Sequence, residues 1–344
     1  MNLTILGAGS FGTAMAHYAA QRGYDVRLWC RNPAQAEAIN RTRINPRYLR
    51  GHPLDAKVTA SPDFEESITF SPHVVLAVPA QYLRGVLQRA LPVVMAGKKP
   101  VKFLSLAKGI EIATGKLPHQ IAEDVFAAAE PEALFWGTLS GPSHAEEVIR
   151  NLPTAVVVAS KSLEIAEEWQ SLLNSPHFRI YTSSDLSGVE LGGAVKNVIA
   201  IAVGIAEALN FGDNARAALA TRGLAEIMRM GSALGASPLT LAGLAGTGDL
   251  MVTCYSHHSR NLRFGIALGQ GLNIQEAASE IGQVVEGAHT VKALVAWGKE
   301  TGIELPIAEG VHAILYEGAS IEQALEKLLF REPRPEMRKT TPQT

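Results

Sequence analysis

Residues 3–30 read LTILGAGSFGTAMAHYAAQRGYDVRLWC, and this opening stretch decides the fold. Leu3–Leu6 is a short apolar run that stops at Gly7-Ala8-Gly9-Ser10-Phe11-Gly12. A helical pattern follows to Arg22, Gly23 interrupts it, and Val26–Cys30 is a second apolar run. Strand, glycine turn, helix, strand is the setting in which G-x-G-x-x-G cradles a dinucleotide. Gly7 permits the tight turn, Gly9 lets the backbone approach a pyrophosphate, and Gly12 allows the helix to pack close on the strand. The N-terminus of the helix then faces the phosphates.

The end of the second strand selects the cofactor. NAD-selective sites place an acid there to bond the ribose hydroxyls, whereas this strand ends Trp29-Cys30-Arg31. A guanidinium suits a 2′-phosphate, so NADPH is the expected cofactor, with NADH possible. The plainer alternative is a solvated arginine ahead of a helix capped at Asn32-Pro33.

Further along, residues 41–53 form a basic stretch, expected to be a flexible loop near the adenine end of the cofactor. Val74–Val78 reads as a buried strand stopped by Pro79, with a helix over Gln81–Leu91. Phe103–Leu106 is another, followed at once by Ala107-Lys108-Gly109. Ligands of open α/β sheets sit beyond the carboxyl ends of the strands, which is where Lys108 falls. Leu134–Leu139 repeats the arrangement and runs into Ser140-Gly141-Pro142-Ser143-His144-Ala145-Glu146. Ser143-x-x-Glu146 also reads as a capping box for a helix that starts there. Strands Thr154–Val158 and Phe178–Tyr181 flank a helix over Leu163–Leu173.

After roughly Asp185 the pattern is almost entirely helical. Residues 190–210, ELGGAVKNVIAIAVGIAEALN, are apolar all round except for Lys196 and Asn197 between Ala194 and Ala206. Such a helix belongs inside a domain, and by length and polarity it is expected to be no membrane span. Desolvation and the helix N-terminus should both lower the pKa of Lys196 toward proton-transfer duty; a lysine snorkelling to solvent is the alternative. Helices are expected over 215–234, 260–268, 274–282, 290–301, 307–315 and 321–330. Two polar islands interrupt them. One runs from Gly246-Thr247-Gly248-Asp249 to Ser259-Arg260-Asn261, and the other is Val284-Val285-Glu286-Gly287. Ser259-Arg260-Asn261 would open a helix and suits a phosphate, although Ser259 also fits a plain N-cap. A mixed α/β half followed by a helical half makes two domains, and their cleft is the default site.

A chain of 344 residues with 47% hydrophobic and 19% charged content is an ordinary globular protein, and a net charge of −2 points to no nucleic-acid or membrane partner. Two cysteines, Cys30 and Cys254, cannot build a disulfide framework; with no signal peptide in view, a cytoplasmic setting is expected. Cys254 reads as a packed thiol, and His257 and His258 lack metal-ligand spacing, so no metal is expected.

Taken together, GAGSFG (7–12), LWCRN (28–32), AKG (107–109), SGPS (140–143), GGAVKNVIAI (192–201), GLAGTGDLMVTC (243–254), SRN (259–261) and VVEG (284–287) resemble the NAD(P)-dependent glycerol-3-phosphate dehydrogenases of the bacterial biosynthetic type. The resemblance implies a Rossmann-like α/β domain with a parallel-rich sheet over 1–186 and an all-α domain over 187–331, akin to that of 6-phosphogluconate dehydrogenase. A disordered tail is expected at 332–344. It implies Lys196 as proton donor and acceptor, with Lys108, Gly141, Ser143, Asp249, Ser259, Arg260 and Asn261 around the substrate. Ser10, Phe11, Arg31, Lys108, Ala145, Arg260, Val284 and Glu286 would contact the dinucleotide beside Gly7, Gly9 and Gly12. The implied substrate pair is dihydroxyacetone phosphate and glycerol 3-phosphate, and the implied assembly a homodimer. Rival readings are a two-domain reductase of a 2-oxo or 3-hydroxy acid, and a non-catalytic NADPH sensor.

Overall fold

The computed structural model describes residues 1–97, 100–127 and 134–329; the tail expected to be disordered and residue 330, expected to end the last helix, lie outside them. Eight strands, numbered in chain order, form one sheet: β1 (Asn2–Leu6), β2 (Asp25–Trp29), β3 (Val58–Ser61), β4 (His73–Leu76), β5 (Lys102–Ser105), β6 (Phe135–Ser140), β7 (Thr154–Ala159) and β8 (Phe178–Ser183). Their order is β3-β2-β1-β4-β5-β6-β7-β8. Neighbours are parallel except β6 and β7, which run antiparallel. Helices on both faces cover the parallel strands on two sides, so Leu3–Leu6 of β1 and all of β4 are buried residue after residue rather than alternately. The β6–β7 connection carries only the one-turn helix Ala145–Val148, too little for a parallel crossover.

The strand order reverses between β1 and β4, which creates a crevice beyond their carboxyl ends. Gly7 leaves β1 at φ 121°, a conformation that side chains disfavour, and turns the chain into the helix Ser10–Gln21. Among the described residues of the sheet domain, three elements went unrecognised in the sequence. β3 is a four-residue edge strand with two hydroxyl side chains, and the helices Phe64–Thr69 and Pro118–Phe126 are short.

The second domain is built round the helix Leu186–Ala208, whose N-cap Asp185 accepts from Gly188 N at 2.9 Å. By length and composition alone this helix could cross a membrane, so its length and polarity do not by themselves argue against a span. In the fold, 94% of its most apolar window is buried inside the protein. Helices Gly212–Ala233, Asp249–Tyr255, Arg260–Gly269 and Glu286–Thr301 pack round it. The helix Arg260–Gly269 approaches so closely that a Cβ at Gly204 would lie 2.2 Å from Leu262 O, and one at Gly265 2.1 Å from Ile201 O. Fully buried Val198, Ile199, Ile201 and Val203 each contribute about 1.5–3 kcal/mol to this core. The polar islands are not loops: the first contains a π-helical turn, Leu244–Gly248, and the second opens the helix Glu286–Thr301.

Candidate active site

A cleft of about 990 Å³ runs from the glycine turn to Lys196, lined by the strand ends on one side and the helical domain on the other. At its floor, Gly12 could not be replaced, because a Cβ there would lie 2.0 Å from Gly7 O and 2.8 Å from the Ala77 side chain. A Cβ at Gly9 would meet nothing within 4 Å, so that glycine leaves open space just where a pyrophosphate must come close. Ser10 Oγ donates to Gln283 Oε1 at 3.3 Å, which ties the turn to the helical domain across the cleft. A dinucleotide therefore fits these residues: a glycine turn, an open approach, and Arg31 at the far end.

At the other end lies a buried charge cluster. Lys196 Nζ donates to Asp249 Oδ1 at 2.7 Å and to Thr253 Oγ1 at 2.6 Å. Lys108 Nζ donates to the second oxygen, Asp249 Oδ2, at 2.7 Å and to Gly141 O at 2.9 Å, with Ser143 Oγ at 3.4 Å. Two cations thus share one carboxylate. The Lys196 ammonium is lowered to about 8, chiefly by burial, with Asp249 opposing the shift and Lys108 adding to it. Burial alone would raise the Asp249 carboxyl, but the two lysines hold it below its ordinary value. The helix N-terminus has no part in this, because Lys196 sits well past the first turn of Leu186–Ala208, beyond the reach of the terminal partial charge.

A relay of amides joins four segments behind the cluster. Gly287 N donates to Asn261 Oδ1 at 2.9 Å, Asn261 Nδ2 to Asn197 Oδ1 at 2.9 Å, and Asn197 Nδ2 to Lys108 O at 3.1 Å. Asn261 therefore spends its carbonyl and one N–H on the scaffold and keeps one N–H for a ligand. Ser259 caps its helix by accepting from Leu262 N at 3.2 Å. Arg260 Nη1 donates to Val284 O at 3.1 Å, and burial raises the Glu286 carboxyl against the pull of Arg260. The capping box expected at Ser143 does not form: the N-cap is His144, and Ser143 Oγ donates to Gly141 O at 2.9 Å. Cys254 is the packed thiol expected, pushed up to about 12 by burial.

All the residues singled out in the sequence line this cleft except Gly141 and Asp249, which stand behind Lys108 and Lys196. Thr253 and Asn197 were not assigned roles in advance. The i, i+4 spacing of Asp249 and Thr253 was the readable signal for the first, since it puts both on one face of the helix Asp249–Tyr255.

A doubly wound sheet with a glycine-turn cleft, closed by a helical domain that supplies a buried lysine, defines a two-domain nicotinamide-dinucleotide dehydrogenase. Residues 2–166 match the model of the NAD-dependent glycerol-3-phosphate dehydrogenase N-terminus, and residues 185–326 match that of its C-terminus. The glycerol-3-phosphate dehydrogenase [NAD(P)+] of Geobacillus thermodenitrificans is 45% identical, over 98% of this chain and 96% of the relative. That of Pseudomonas fluorescens (strain Pf0-1) is 46% identical, over 97% and 92%. The crystal structure of glycerol-3-phosphate dehydrogenase from Coxiella burnetii superposes with a TM-score of 0.90 at 38% identity, covering 96% of this chain and 99% of that one. The chain belongs to the NAD-dependent glycerol-3-phosphate dehydrogenase family, and its activity is that of a glycerol-3-phosphate dehydrogenase using NAD(P).

Proposed function

We propose that Lys196 is the proton donor when dihydroxyacetone phosphate is reduced to sn-glycerol 3-phosphate, and the acceptor in the reverse direction. The observation that carries this reading is its buried pairing with Asp249 at the inner end of the cleft. Bound NAD(P)H supplies the hydride. Reduction leaves an alkoxide on the substrate that must gain a proton, and a desolvated ammonium both polarises the carbonyl beforehand and supplies that proton. Asp249 holds the Lys196 ammonium in place and fixes Lys108 beside it. Arg260, the remaining N–H of Asn261 and the hydroxyls of Ser143 and Ser259 line the substrate end, where cations and donors suit a phosphate. Holding that phosphate sets the ketone against the nicotinamide. Gly9, Ser10 and Phe11 receive the pyrophosphate, and Ala145, Val284 and Glu286 close round the nicotinamide half.

Arg31 at the end of β2, with no acid beside it, favours NADPH over NADH. An NADPH preference drives the reaction toward glycerol 3-phosphate and phospholipid backbone supply. The assembly is taken as a homodimer in the cytoplasm, with the domain boundary between β8 and the helix Leu186–Ala208. Neither a 2-oxo-acid reductase nor a sensor needs the paired lysines and the arginine seen here. The decisive experiment follows NADPH consumption with dihydroxyacetone phosphate, unphosphorylated dihydroxyacetone and a panel of 2-oxo acids. Rapid turnover with the phosphate alone is expected; turnover with an oxo acid alone would move the substrate assignment elsewhere.

A further inference from the structure

Residues 41–53 are not the loose basic loop that their composition suggests. The helix Pro33–Thr42 takes the first of them, and a fully buried Asn45 fastens the rest to the glycine turn. Asn45 Nδ2 donates to Ala8 O at 3.1 Å and to Thr13 Oγ1 at 2.8 Å. Its Oδ1 accepts from Gln35 Nε2 at 3.1 Å, from Arg47 N at 3.0 Å and from Tyr48 N at 3.3 Å. Gln35 Nε2 also donates to Ala8 O, at 3.0 Å. A buried side-chain amide with this many partners costs free energy to break, so the backbone of Arg47 and Tyr48 is held in a defined place.

That place is the rim of the dinucleotide cleft. Arg47 and Tyr48 line it together with Arg31, Asn32 and Gln35. No carboxylate pairs with the guanidinium of Arg31 or Arg47 among the described residues. The carboxylates that line the cleft, Glu146 and Glu286, come from the loop after β6 and from the helical domain. Arg89, also on the lining, lies closer to an aromatic face, 4.3 Å over the Phe64 ring. The Arg47 guanidinium lies 5.8 Å from the centre of the Tyr48 ring; it and Arg31 thus bring two guanidinium groups without a carboxylate partner to this end of the cleft, one just after β2 and one on backbone held by Asn45. A phosphate monoester carries nearly two charges near neutral pH and accepts several charge-assisted hydrogen bonds.

We propose that Arg47 is a second ligand of the cofactor's 2′-phosphate, acting opposite Arg31, with Asn45 as its positioning residue. This rests on the NADPH reading of the cofactor. The test measures dissociation constants for NADP⁺ and NAD⁺ by titration of the wild type, R47A, R31A, N45A and the double variant N45A/R47A. Losing one charge-assisted contact should weaken NADP⁺ binding of R47A roughly tenfold or more, while NAD⁺ binding changes less than about twofold. Arg47 is exposed, so its truncation leaves the core intact. N45A should lose selectivity in the same direction, and the double variant should lose no more selectivity than R47A. A wild type that prefers NADP⁺, with R47A keeping the full preference, overturns the role of Arg47 and leaves Arg31 as the reader. A wild type that binds both cofactors equally overturns the NADPH reading itself, and the proposal with it.

Discussion

Lys196 and Asp249 form an ion pair at 2.7 Å in which both side chains are almost wholly withdrawn from water, and the carboxylate's other oxygen is taken by Lys108. This arrangement explains how a lysine stays charged in the core yet titrates near neutrality. Desolvation drives the ammonium toward its neutral form, Lys108 adds to that, and Asp249 restrains the shift at about 8. The first expectation concerns rate against pH. Reduction needs the ammonium, so its kcat should fall as pH rises through about 8; oxidation needs the amine, so its kcat should fall as pH drops through the same value. K196A should lose about a thousandfold or more in kcat while still binding NADPH. Stopped-flow rates across pH 6–10, roughly two units either side, check both, and normal turnover by K196A would sink the assignment.

Asp249→Asn removes the one carboxylate that both lysines share. Asp249 raises the Lys196 ammonium, so its loss should move the break in the reduction profile to lower pH and reduce the fraction of competent enzyme at neutrality. Breaking a buried pair from one side costs about 3–5 kcal/mol, tempered here because a lysine can shed its proton. The profile and a denaturant midpoint measured on the same preparation separate the two effects. An unshifted break with lowered stability would reduce Asp249 to a packing role.

Much of this site was legible because its residues announce themselves by chemistry out of place. A lysine in an all-apolar helix, glycines after a strand, and an arginine where an acid is usual all stand out from their neighbours. What stayed hidden are side chains whose role depends on distant backbone. Asn45 is one polar residue in a polar stretch, and nothing local shows that it reaches Ala8 and Thr13. Glu190 looks like an ordinary helix surface residue, yet it is buried and accepts from Thr138 Oγ1, Trp136 Nε1 and His119 N. β3 was missed because a short edge strand owes its form to pairing with β2 rather than to its own pattern. The misreading of residues 41–53 has the same origin.

The glycines of the turn separate folding from binding. Gly12→Ala would drive a methyl to 2.0 Å from Gly7 O, so the turn must open; destabilisation of several kcal/mol and loss of soluble protein are expected. Gly9→Ala meets empty space in the protein and should melt within a degree or so of the wild type. Its methyl intrudes on the pyrophosphate alone, so the KM for NADPH should rise about tenfold or more with kcat largely kept. Thermal melts beside cofactor titrations check the pair. A G9A enzyme with wild-type KM would place the pyrophosphate away from this turn.

The last expectation lies outside the cleft. Glu226, buried in the helix Gly212–Ala233, accepts from Ile307 N at 2.6 Å and Ala308 N at 3.3 Å, the free donors at the start of the helix Pro306–Tyr316. Burial raises its carboxyl to about 7 from 4.5, against the pull of those two N–H groups. An acid whose pKa is raised by folding binds its proton more tightly in the native state. Its contribution to stability is therefore full below about 4.5 and is lost as pH rises through about 7. The loss is on the order of 2–3 kcal/mol across that window. Glu226→Gln keeps an acceptor for the helix and removes the titration. The stability of wild type minus E226Q, from denaturant midpoints taken between pH 5 and 8 (about the same window), should fall steadily with pH. A difference that stays flat would mean that Glu226 remains ionised in the fold, its charge satisfied by the helix start alone.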